Sequence, residues 1–538
     1  MNKIFKRLIE KRNLTSDFLQ PKYHNLTDPF NLPGMDQAVS RIKWAIKHQE
    51  KILIYGDYDA DGVTASTLME EALTLAGLQP EHISIMLPDR FADGYGMSPK
   101  LIKRAQKEGI TLVITVDCGS RNHEIVDELN RLNIDSIITD HHETDDTMPE
   151  AVAIINPKRK DCPTESLYNL AGVGVAFKLT EALVREGLIK EGQEKWLLDL
   201  VLIGTICDSM LLTGENRILG YYGMKVLAKT RRPGLRELMS RAGVKNLNTD
   251  SIGFQIGPRL NAAGRLDTAD LSLNLLRAQS PVEAAPLAEQ LEQLNKKRKN
   301  EQLSALREVK ERGVKSDPVI VETGQWHEGI VGIVAGRLVE DYHRPAFVLA
   351  ETTDNIYKGS GRSFGDFNLA KALEYAQDSI ISGGGHAGAA GVRVKQEDLY
   401  RFREQINEYY HSLNLKNQEA HFLSHADLAL NDFSDLDLTL FEDLKQLEPY
   451  GPGNEEPIFR LCNVEVMGVT RMGADRNHLR LDLRDKTGKS LKLIAFYAPD
   501  EWLSLDPTTK IEPLVKLIEN DFNGVKSLEA RIIDIQIV

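Results

Sequence analysis

The chain has 538 residues, 42% of them hydrophobic and 27% charged, and such a length exceeds the ~250–300 residues of one hydrophobic core, which predicts several domains. It contains no apolar run near the ~20 residues of a membrane helix, no signal-peptide core and no paired cysteine spacing, so we expect a cytoplasmic protein without membrane contact or a zinc ribbon. The formal net charge of −13 disfavours a nucleic-acid partner but does not exclude one, because an acidic total can hide a basic groove.

Short apolar runs alternate with helical patterns in the first half of the chain. Helical patterns cover Gly62–Leu78 and Lys100–Glu108, between runs that are rich in Val and Ile. This alternation predicts an open α/β sheet of parallel strands with crossover helices, in which chemistry collects beyond the carboxyl ends of the strands. The predicted strands are Ile52–Tyr55, Leu112–Val116, Ser136–Thr139 and Ala151–Ile155.

The second half begins with a charged helical pattern that contains no glycine before Gly313. We predict one long helix that joins two domains, with a solvated surface helix of a single domain as the alternative. Strand patterns at Pro318–Glu322 and Ala346–Glu351 then predict a second α/β domain, and turn residues at Pro449–Pro457 mark another boundary.

The tail reads as short alternating strands and predicts a small antiparallel barrel of the oligonucleotide-binding type. With the boundaries above, the pattern divides the chain into five parts. They are an N-terminal segment (1–45), a catalytic α/β domain (46–279), a connecting helix (280–313), a second α/β domain (314–450) and the oligonucleotide-binding fold (451–538).

The first acidic motif, ILIYGDYDADG, places Asp57, Asp59 and Asp61 in the turn after a predicted strand. Hard divalent cations prefer several oxygen ligands in one place, and such a turn supplies them. An EF-hand loop begins in the same way, but it needs Glu at the twelfth position, here Leu68, and a preceding helix. We therefore reject the EF-hand and keep an acidic surface turn as the alternative to a metal site.

Three further motifs place polar groups at the ends of apolar elements. Asp117 ends the run LVITV, Asp208 ends the run VLIGTIC, and SIITDHHE places His141 and His142 after another strand. A carboxylate at such a position is costly to desolvate unless it is paired or bound to a metal, although Asp117 or Asp208 alone fits a helix cap or a buried acceptor equally well. Adjacent histidines point to opposite faces of a strand, so we expect one to bind metal and the other to point elsewhere.

Several carboxylates with one imidazole suit Mg²⁺ or Mn²⁺ better than Zn²⁺. Two such ions ~3.5–4 Å apart activate water and stabilise the leaving oxygen of a phosphate ester. The residue types and their positions therefore predict a two-metal phosphoesterase centre.

A glycine-rich block, SGGGHAGAAG, lies in the second α/β domain. Glycines such as Gly385 let backbone amides approach phosphate oxygens, and His386 can donate to them. Upstream, Arg362 lies close to Ser360 and Ser363 and offers a planar fork for phosphate. Tight packing of small residues is the alternative explanation for the glycines.

The motifs GDYDADG, VDCG, DHHE and ICDSM, in this order, resemble those of the DHH phosphoesterase superfamily. The block GPRLNAAGRLDTA is typical of the RecJ exonucleases within it, and KGSGRSF and SGGGHAGAAG resemble the DHH-associated domain. The resemblance covers nearly the whole chain. It implies a parallel-sheet DHH domain, a linking helix, a DHH-associated domain and an oligonucleotide-binding barrel. It also implies a processive 5′→3′ exonuclease on single-stranded DNA that releases nucleoside 5′-monophosphates in recombination and repair.

The resemblance also implies roles for individual residues. Asp59 and Asp117 would hold one metal ion, and Asp61, Asp117, His141 and Asp208 the other. Some members of the superfamily have a histidine where this chain has Tyr55, so Asp57 is the expected substitute ligand. His142 would support the site or contact the scissile phosphate. The pocket for the 5′-terminal phosphate would contain Ser360, Arg362 and Arg90, although Arg90 also fits an ordinary surface arginine.

Two other functions compete with the nuclease. One is a phosphodiesterase for short oligoribonucleotides or cyclic dinucleotides, and the other is a scaffold that has lost its metal ligands. The NAAGR block and the C-terminal barrel disfavour the first, and the complete set of acidic motifs disfavours the second. The expected partners are single-stranded DNA, a single-strand-binding protein and a RecQ-type helicase, and we expect a monomer.

Overall fold

A computed structural model describes residues 1–352, 355–413, 425–473, 475–507, 509–522 and 524–537. Within these ranges the strands form three sheets, of five, five and seven strands. Each sheet belongs to a different part of the chain, and one long helix follows the first part. No helix in the described ranges is long and apolar enough to cross a bilayer.

The N-terminal segment divides between two domains. Its helices are α1 (Lys3–Lys11), α2 (Ser16–Leu19) and α3 (Met35–His48). The apolar side chains Phe5 and Leu8 of α1 are buried in the core of the C-terminal domain, whereas α3 packs on the catalytic domain. Arg12 fixes α1 further, because its guanidinium binds the Asp427 carboxylate through two hydrogen bonds of 2.6 and 2.8 Å. The two ends of the chain therefore share one hydrophobic core.

The catalytic sheet has five parallel strands in the order β2-β1-β3-β4-β5. The sequence predicts four of them and misses the edge strand β2, in which only the first residue is fully buried. An edge strand that is half exposed lacks the continuous apolar run that marks the central strands. The strands are β1 (Ile52–Tyr55), β2 (Ile83–Met86), β3 (Leu112–Val116), β4 (Asp135–Thr139) and β5 (Ala153–Ile155).

Helices cover both faces of this sheet. The helices α5 (Pro99–Glu108) and α6 (His123–Arg131) pack on one face, and α3, α4 (Ala60–Leu75) and α7 (Gly172–Arg185) pack on the other. Beyond α7 the apolar helix α8 (Leu198–Cys207) is almost entirely buried, and α9 (Gly214–Leu227) packs against it. The helices that complete the domain are α10 (Pro233–Arg241), α11 (Thr249–Ser251), a π-helical turn (Ile252–Ile256), α12 (Gly257–Leu266) and α13 (Asp270–Arg277).

The predicted linking helix is α14 (Pro281–Arg312). Ser280 caps its first turn by accepting from the Glu283 N–H, and Gly313, with a φ of 79°, follows its last residue. The helix contacts α10, α12 and α13 of the catalytic domain and α15 (Val331–Tyr342) of the next domain. This single long helix therefore connects the two α/β domains and packs against both.

The second α/β domain is a mixed five-stranded sheet in the order β6-β7-β8-β10-β9. The pair β6–β7 is parallel and the remaining pairs are antiparallel. Its strands are β6 (Ile320–Gly324), β7 (Ala346–Glu351), β8 (Ile356–Arg362), β9 (Ser382–Gly385) and β10 (Ala389–Lys395). Its helices are α15 (Val331–Tyr342), α16 (Leu369–Tyr375) and α17 (Leu399–Ser412).

The C-terminal sheet has the order β11-β12-β16-β17-β15-β14-β13. The sequence predicts an antiparallel sheet, but the pairs β11–β12 and β15–β17 are parallel. The chain crosses from β15 through α19 to β16 before it turns back, so β17 lies beside β15 in the same direction. The strands are β11 (Leu428–Leu430), β12 (Phe459–Leu461), β13 (Glu465–Met472), β14 (His478–Arg484), β15 (Ser490–Ala495), β16 (Ile511–Phe522) and β17 (Val525–Ile537), with helices α18 (Leu438–Leu444) and α19 (Asp500–Leu503).

Candidate metal centre

The first acidic motif forms the turn between β1 and α4. Asp59 caps α4, and its Oδ1 atom accepts hydrogen bonds from the backbone N–H groups of Asp61 and Gly62 at 2.9 and 3.1 Å. A Cβ at Gly62 would lie 2.5 Å from the Asp57 carbonyl oxygen, so this turn requires glycine. Asp57 is 4% exposed, and its Oδ1 atom has no hydrogen-bond partner among the described residues. A buried carboxylate oxygen without a partner is the kind of position that a cation satisfies.

Asp61 points back beneath the turn to the start of α7. Its two carboxylate oxygens accept from the backbone N–H groups of Gly172 and Val173 at 2.6 and 2.9 Å. The positive end of the helix stabilises this buried carboxylate. A Cβ at Gly204 of α8 would lie 2.5 Å from its Oδ1 atom, and a Cβ at Gly172 would lie 2.4 Å from that of Asp117. These two glycines, which the sequence does not single out, let α7 and α8 approach the acidic cluster.

Asp117 follows β3 in the left-handed backbone region, with a φ of 62°. Its N–H donates to the Thr139 carbonyl at 2.9 Å, which ties it to the end of β4. Its Oδ1 atom makes no hydrogen bond, although Nε2 of His141 lies 3.1 Å away. The carboxylate is therefore held at the centre of the cluster with one oxygen open.

The two adjacent histidines both reach this cluster, so the expectation that one of them points elsewhere is wrong. β4 ends at Thr139, and the alternation of side chains along a strand no longer applies to the residues that follow. Asp140 organises the loop by accepting from the N–H groups of His141 and His142 at 2.7 and 3.1 Å. Nδ1 of His142 lies 2.8 Å from Asp140 and 4.0 Å from Asp117.

Asp208 completes the cluster from the end of α8. It is the C-cap of the helix, its side chain is 33% exposed, and its Oδ2 atom lies 3.6 Å from Nε2 of His141. Asp57, Asp61 and Asp117 are buried, whereas Asp59 is partly exposed, so Asp208 and Asp59 mark the solvent side of the cluster.

The candidate ligand atoms fall into three groups, each within 4.8 Å. Asp117 belongs to two of these groups and His141 to two, so the groups adjoin one another. The members are Asp57, Asp59 and Asp117; Asp61, His141 and Asp208; and Asp117, His141 and His142. The structure thus brings together all the metal-ligating residues predicted from the sequence.

Burial and mutual repulsion penalise the charged forms of these carboxylates. Burial, followed by the charge of Asp59, raises the pKa of Asp57 to about 8, and the same two causes raise the pKa of Asp208 to about 7. The pKa values of Asp61 and Asp117 are also raised well above their ordinary value, first by burial and then by neighbouring carboxylates. Burial lowers the pKa of His141 to about 3, which keeps its imidazole neutral and able to bind a metal. A carboxylate-rich site with neutral imidazole fits hard divalent cations.

His142 differs from its neighbour in its electrostatics. Burial lowers the pKa of His142, but the hydrogen bond and charge of Asp140 outweigh it and raise the pKa overall. Burial raises the pKa of Asp140, and the hydrogen bond and charge of His142 bring it below its ordinary value. The Tyr95 hydroxyl also lies 2.7 Å from Nδ1 of His142. The pair is therefore a fixed ion pair beside the cluster.

A pocket of arginines adjoins the acidic turn. The Arg90 guanidinium lies over the Tyr58 ring, 4.9 Å from its centroid, so it is not an isolated surface side chain. Arg362 lies in the second α/β domain and donates a hydrogen bond of 2.9 Å to the Ser360 hydroxyl. The structure therefore brings the predicted residues Arg90, Ser360 and Arg362 towards one space between the two domains.

Arg265, on α12, is a member of this pocket that the sequence does not predict. Burial and the charges of Arg90, Arg298 and Arg362 lower the pKa of Arg265 to about 9. A Cβ at Gly329 would lie 1.9 Å from the Arg265 carbonyl oxygen, so the two domains touch here. Several mutually repelling guanidinium groups in a buried space form a ready site for an anion.

The remaining predicted phosphate-binding residues lie in local structure. The Ser363 hydroxyl donates to the Phe367 carbonyl within its own loop. Gly385 has a φ of 148°, and a Cβ there would meet the Ala389 carbonyl oxygen at 2.3 Å, so tight hairpin packing already requires this glycine. His386 lies in the exposed β9–β10 turn, where its N–H donates to the same carbonyl.

A groove of about 1120 Å³ runs between the catalytic and C-terminal domains. Its walls carry aromatic side chains and charges of both signs. Arg265 of the catalytic domain and Arg298 of α14 line one side, and Tyr450 and Lys516 line the other, where Lys516 is paired with Glu456. Phe254 lines it from the π-helical turn and is 75% exposed. Arg265 belongs to both the groove and the arginine pocket, so the two are continuous.

Family models match three consecutive parts of the chain. The DHH family N-terminal domain matches residues 51–205, the DHHA1 domain residues 316–412 and the RecJ OB domain residues 427–534. A Dickeya dadantii protein named single-stranded-DNA-specific exonuclease RecJ is 34% identical across 98% of this chain and 94% of its own length. The chain belongs to the RecJ family. The resemblance and the fold class predicted from the motifs are thereby confirmed.

Other RecJ proteins extend the comparison. The RecJ of Bacillus subtilis is 36% identical over 96% of this chain, and the chain spans 65% of that relative. The crystal structure of Thermus thermophilus RecJ with Mn²⁺ matches all of this chain and 76% of its own, with a TM-score of 0.85 at 28% identity. The Mg²⁺ complex of the same RecJ matches with a TM-score of 0.79.

Proposed function

We propose that the protein is a hydrolase that removes nucleoside 5′-monophosphates from the 5′ end of single-stranded DNA, with two Mn²⁺ or Mg²⁺ ions, in recombination and repair. The observation that carries this proposal is the position of the acidic cluster directly beside the arginine pocket. Arg90 packs over Tyr58, between Asp57 and Asp59 in the chain, so the pocket and the cluster share one turn. A terminal phosphate in the pocket places the next phosphodiester near the cluster.

Six side chains hold the ions in this proposal. Asp57, Asp59 and Asp117 hold one ion, which assigns the unpartnered oxygen of Asp57 to a metal. Asp61, His141 and Asp208 would hold the other, and Asp117, 3.1 Å from Nε2 of His141, would contribute to both. When bound, the two ions would activate water and stabilise the leaving oxygen of a phosphate ester.

The remaining residues bind and orient the strand. The forks of Arg90, Arg265 and Arg362, with the Ser360 hydroxyl, take the oxygens of the 5′-terminal phosphate. His142, held through Nδ1 by Asp140, presents its other ring nitrogen to an oxygen of the scissile phosphate. Asp140 orients the imidazole and raises its pKa, which favours the protonated form.

The groove between the catalytic and C-terminal domains carries the rest of the strand in this proposal. Its cations neutralise phosphates, and the exposed ring of Phe254 offers a surface for base stacking. Family membership also supports a single-strand-binding protein and a RecQ-type helicase as partners, and we propose a cytoplasmic monomer.

The test is a time course on single strands labelled at the 5′ or the 3′ end, in the presence of Mn²⁺. A 5′ label should leave at once as a mononucleotide, while a 3′ label should pass through progressively shorter products. Immediate release of the 3′ label, or digestion of dinucleotides but not of long strands, would contradict the proposal.

The arginine pocket has its own test. Arg362→Ala should reduce the preference for 5′-phosphorylated over 5′-hydroxyl strands by roughly tenfold or more, since it removes charge-assisted hydrogen bonds of about 1.5–3 kcal/mol. Arg393→Ala, at an exposed position on the neighbouring strand β10, is the matched control and should leave the preference unchanged. An unchanged preference in Arg362→Ala would remove this residue from the pocket.

A further inference from the structure

A strip of cations and aromatic rings crosses the surface at the end of α9. Arg231 lies over the Trp196 ring with its Cζ atom 3.4 Å from the centroid, and Lys195 lies over Tyr23 with its Nζ atom 4.6 Å from that centroid. Lys225 lies 5.4 Å from the centroid of Tyr222. We call this surface the α9 strip, and its members are Lys195, Trp196, Tyr222, Lys225, Lys229 and Arg231.

The cations of the α9 strip have no carboxylate partner within the described ranges. The contrast is sharp with Arg232, the next residue along the chain, whose guanidinium is paired with Glu71 and Asp199. No salt bridge among the described residues includes Lys195, Lys225, Lys229 or Arg231. Glu191 lines a neighbouring cavity together with Trp196 and Arg231, but in the part of the chain that the structure describes it forms no salt bridge with the strip. Cations that are not engaged in salt bridges are available to phosphate groups.

The α9 strip is continuous with the groove of the proposed active site. A shallow cavity of about 270 Å³ lies along it, lined by Trp196, Tyr222 and Lys229 among others. Lys225 lines both this cavity and the larger groove. A chain that leaves the groove over α9 therefore passes directly onto the α9 strip.

We propose that the α9 strip is a second contact for the single strand, where lysines hold phosphates and the exposed ring of Trp196 stacks on a base outside the groove. This inference rests on the proposed function, because it assigns the same substrate to an additional surface. Cations interleaved with aromatic faces suit a single nucleic-acid strand, whereas an acidic peptide would need the cations alone. The strip lengthens the bound segment without touching the reacting phosphate.

The test compares two double variants in strand binding. Lys195→Gln with Lys229→Gln removes two cations of the strip that do not line the groove. Lys103→Gln with Lys107→Gln removes two exposed lysines from α5, on the opposite face of the catalytic sheet. Affinity is measured by fluorescence anisotropy for single strands of about 6 and about 30 nucleotides, with EDTA present to prevent cleavage.

The α9 variant should bind the long strand roughly tenfold more weakly, with the slope of log affinity against log salt reduced by about 1.4, or about 0.7 per lost phosphate contact. It should bind the short strand like the wild type, and the α5 variant should bind both strands like the wild type. The proposal would be overturned if the α9 variant bound the long strand as tightly as the wild type, or if the α5 variant lost as much affinity. It would also be overturned if polyglutamate displaced the bound strand as effectively as DNA does. If the wild type degrades neither strand with Mn²⁺, the proposed function fails, and the binding comparison still decides the α9 strip.

Discussion

Asp117 is the residue on which the metal centre depends most. Its φ of 62° suits asparagine as well as aspartate, so Asp117→Asn keeps the backbone and removes only the charge. Cleavage should fall at least ~10³-fold, because an ion supplies several kcal/mol and each 1.36 kcal/mol is a factor of ten. The metal-free variant should unfold at a higher temperature than the wild type, because one buried, repelled carboxylate is gone. Initial rates with Mn²⁺ and thermal unfolding in EDTA measure the two effects.

The matched control for this substitution is Asp127→Asn, on the exposed surface of α6. It should change neither the rate nor the unfolding temperature. Full cleavage by Asp117→Asn, or a metal-free variant less stable than the wild type, would show that Asp117 has a structural role and not a metal-binding one.

The raised carboxylate pKa values predict how pH affects the metal-free protein. Asp57 and Asp208, with pKa values of about 8 and 7, bind more protons in the folded than in the unfolded state between about pH 4 and pH 8. The free energy of unfolding in EDTA should therefore decrease as pH rises through this window. Saturating Mn²⁺ should abolish the decrease, because the ions then stabilise the ionised carboxylates. Denaturant unfolding at several pH values measures this, and an equal slope with and without Mn²⁺ would contradict it.

Among individual residues, the sequence predicts which side chains gather in the acidic cluster, and it predicts fewer members of the arginine pocket. Asp59, Asp117 and His141 are predictable because parallel strands bring their carboxyl ends to one edge. Arg265 is not, because it lies on a helix and enters the pocket only through the packing of Gly329 on its backbone. The position of His142 is not predictable from strand alternation, because the strand ends at Thr139 and the rule holds only within a strand.

At the scale of elements, the π-helical turn Ile252–Ile256 has the clearest functional consequence. Single π-helical turns occur often at functional sites, and this one exposes the Phe254 ring to the groove. No sequence pattern identifies an aromatic residue that stacks on bases, because an exposed ring and a buried ring can occur in the same helical sequence pattern. The glycines at 172 and 204 are similar cases, since only the crossing of α7 and α8 with the acidic turn gives them a role.

Phe254→Ala should weaken binding of single-stranded DNA about tenfold, because stacking on an aromatic ring contributes roughly 1–3 kcal/mol per base. The unfolding temperature should not change, since the side chain is 75% exposed. Phe254→Trp should retain the affinity and serves as the conservative control. Anisotropy titrations measure all three proteins, and equal affinities for the wild type and Phe254→Ala would remove the ring from the strand path.

At the scale of the whole molecule, Arg217 joins three separate parts of the chain. It is buried on α9, and its guanidinium donates to the carbonyl oxygens of Phe18, Gln446 and Pro449 at 3.3, 3.0 and 3.4 Å. It thus connects the N-terminal segment and the C-terminal domain to the catalytic domain. The order of domains is predictable from the sequence, but this junction is not, because its acceptors are backbone carbonyls that any residue supplies.

Arg217→Met should lower the stability of the C-terminal domain by about 3 kcal/mol, because it leaves buried carbonyl groups without donors. Scanning calorimetry should show the transition of that domain at a lower temperature, and degradation of long strands should slow more than that of short ones. Arg185→Met, which removes an exposed salt bridge with Asp28, should change little. Equal transitions in both variants would show that Arg217 does not hold the domains together.

In the proposed function, Asp117 lies between two divalent ions at the end of the catalytic sheet. Anomalous diffraction from a crystal soaked in Mn²⁺ tests it most directly. We expect two peaks ~3.5–4 Å apart. One should lie beside Asp57 and Asp59 and the other beside Asp61, His141 and Asp208, with the Asp117 carboxylate between them. A single peak, or peaks away from Asp117, would contradict it.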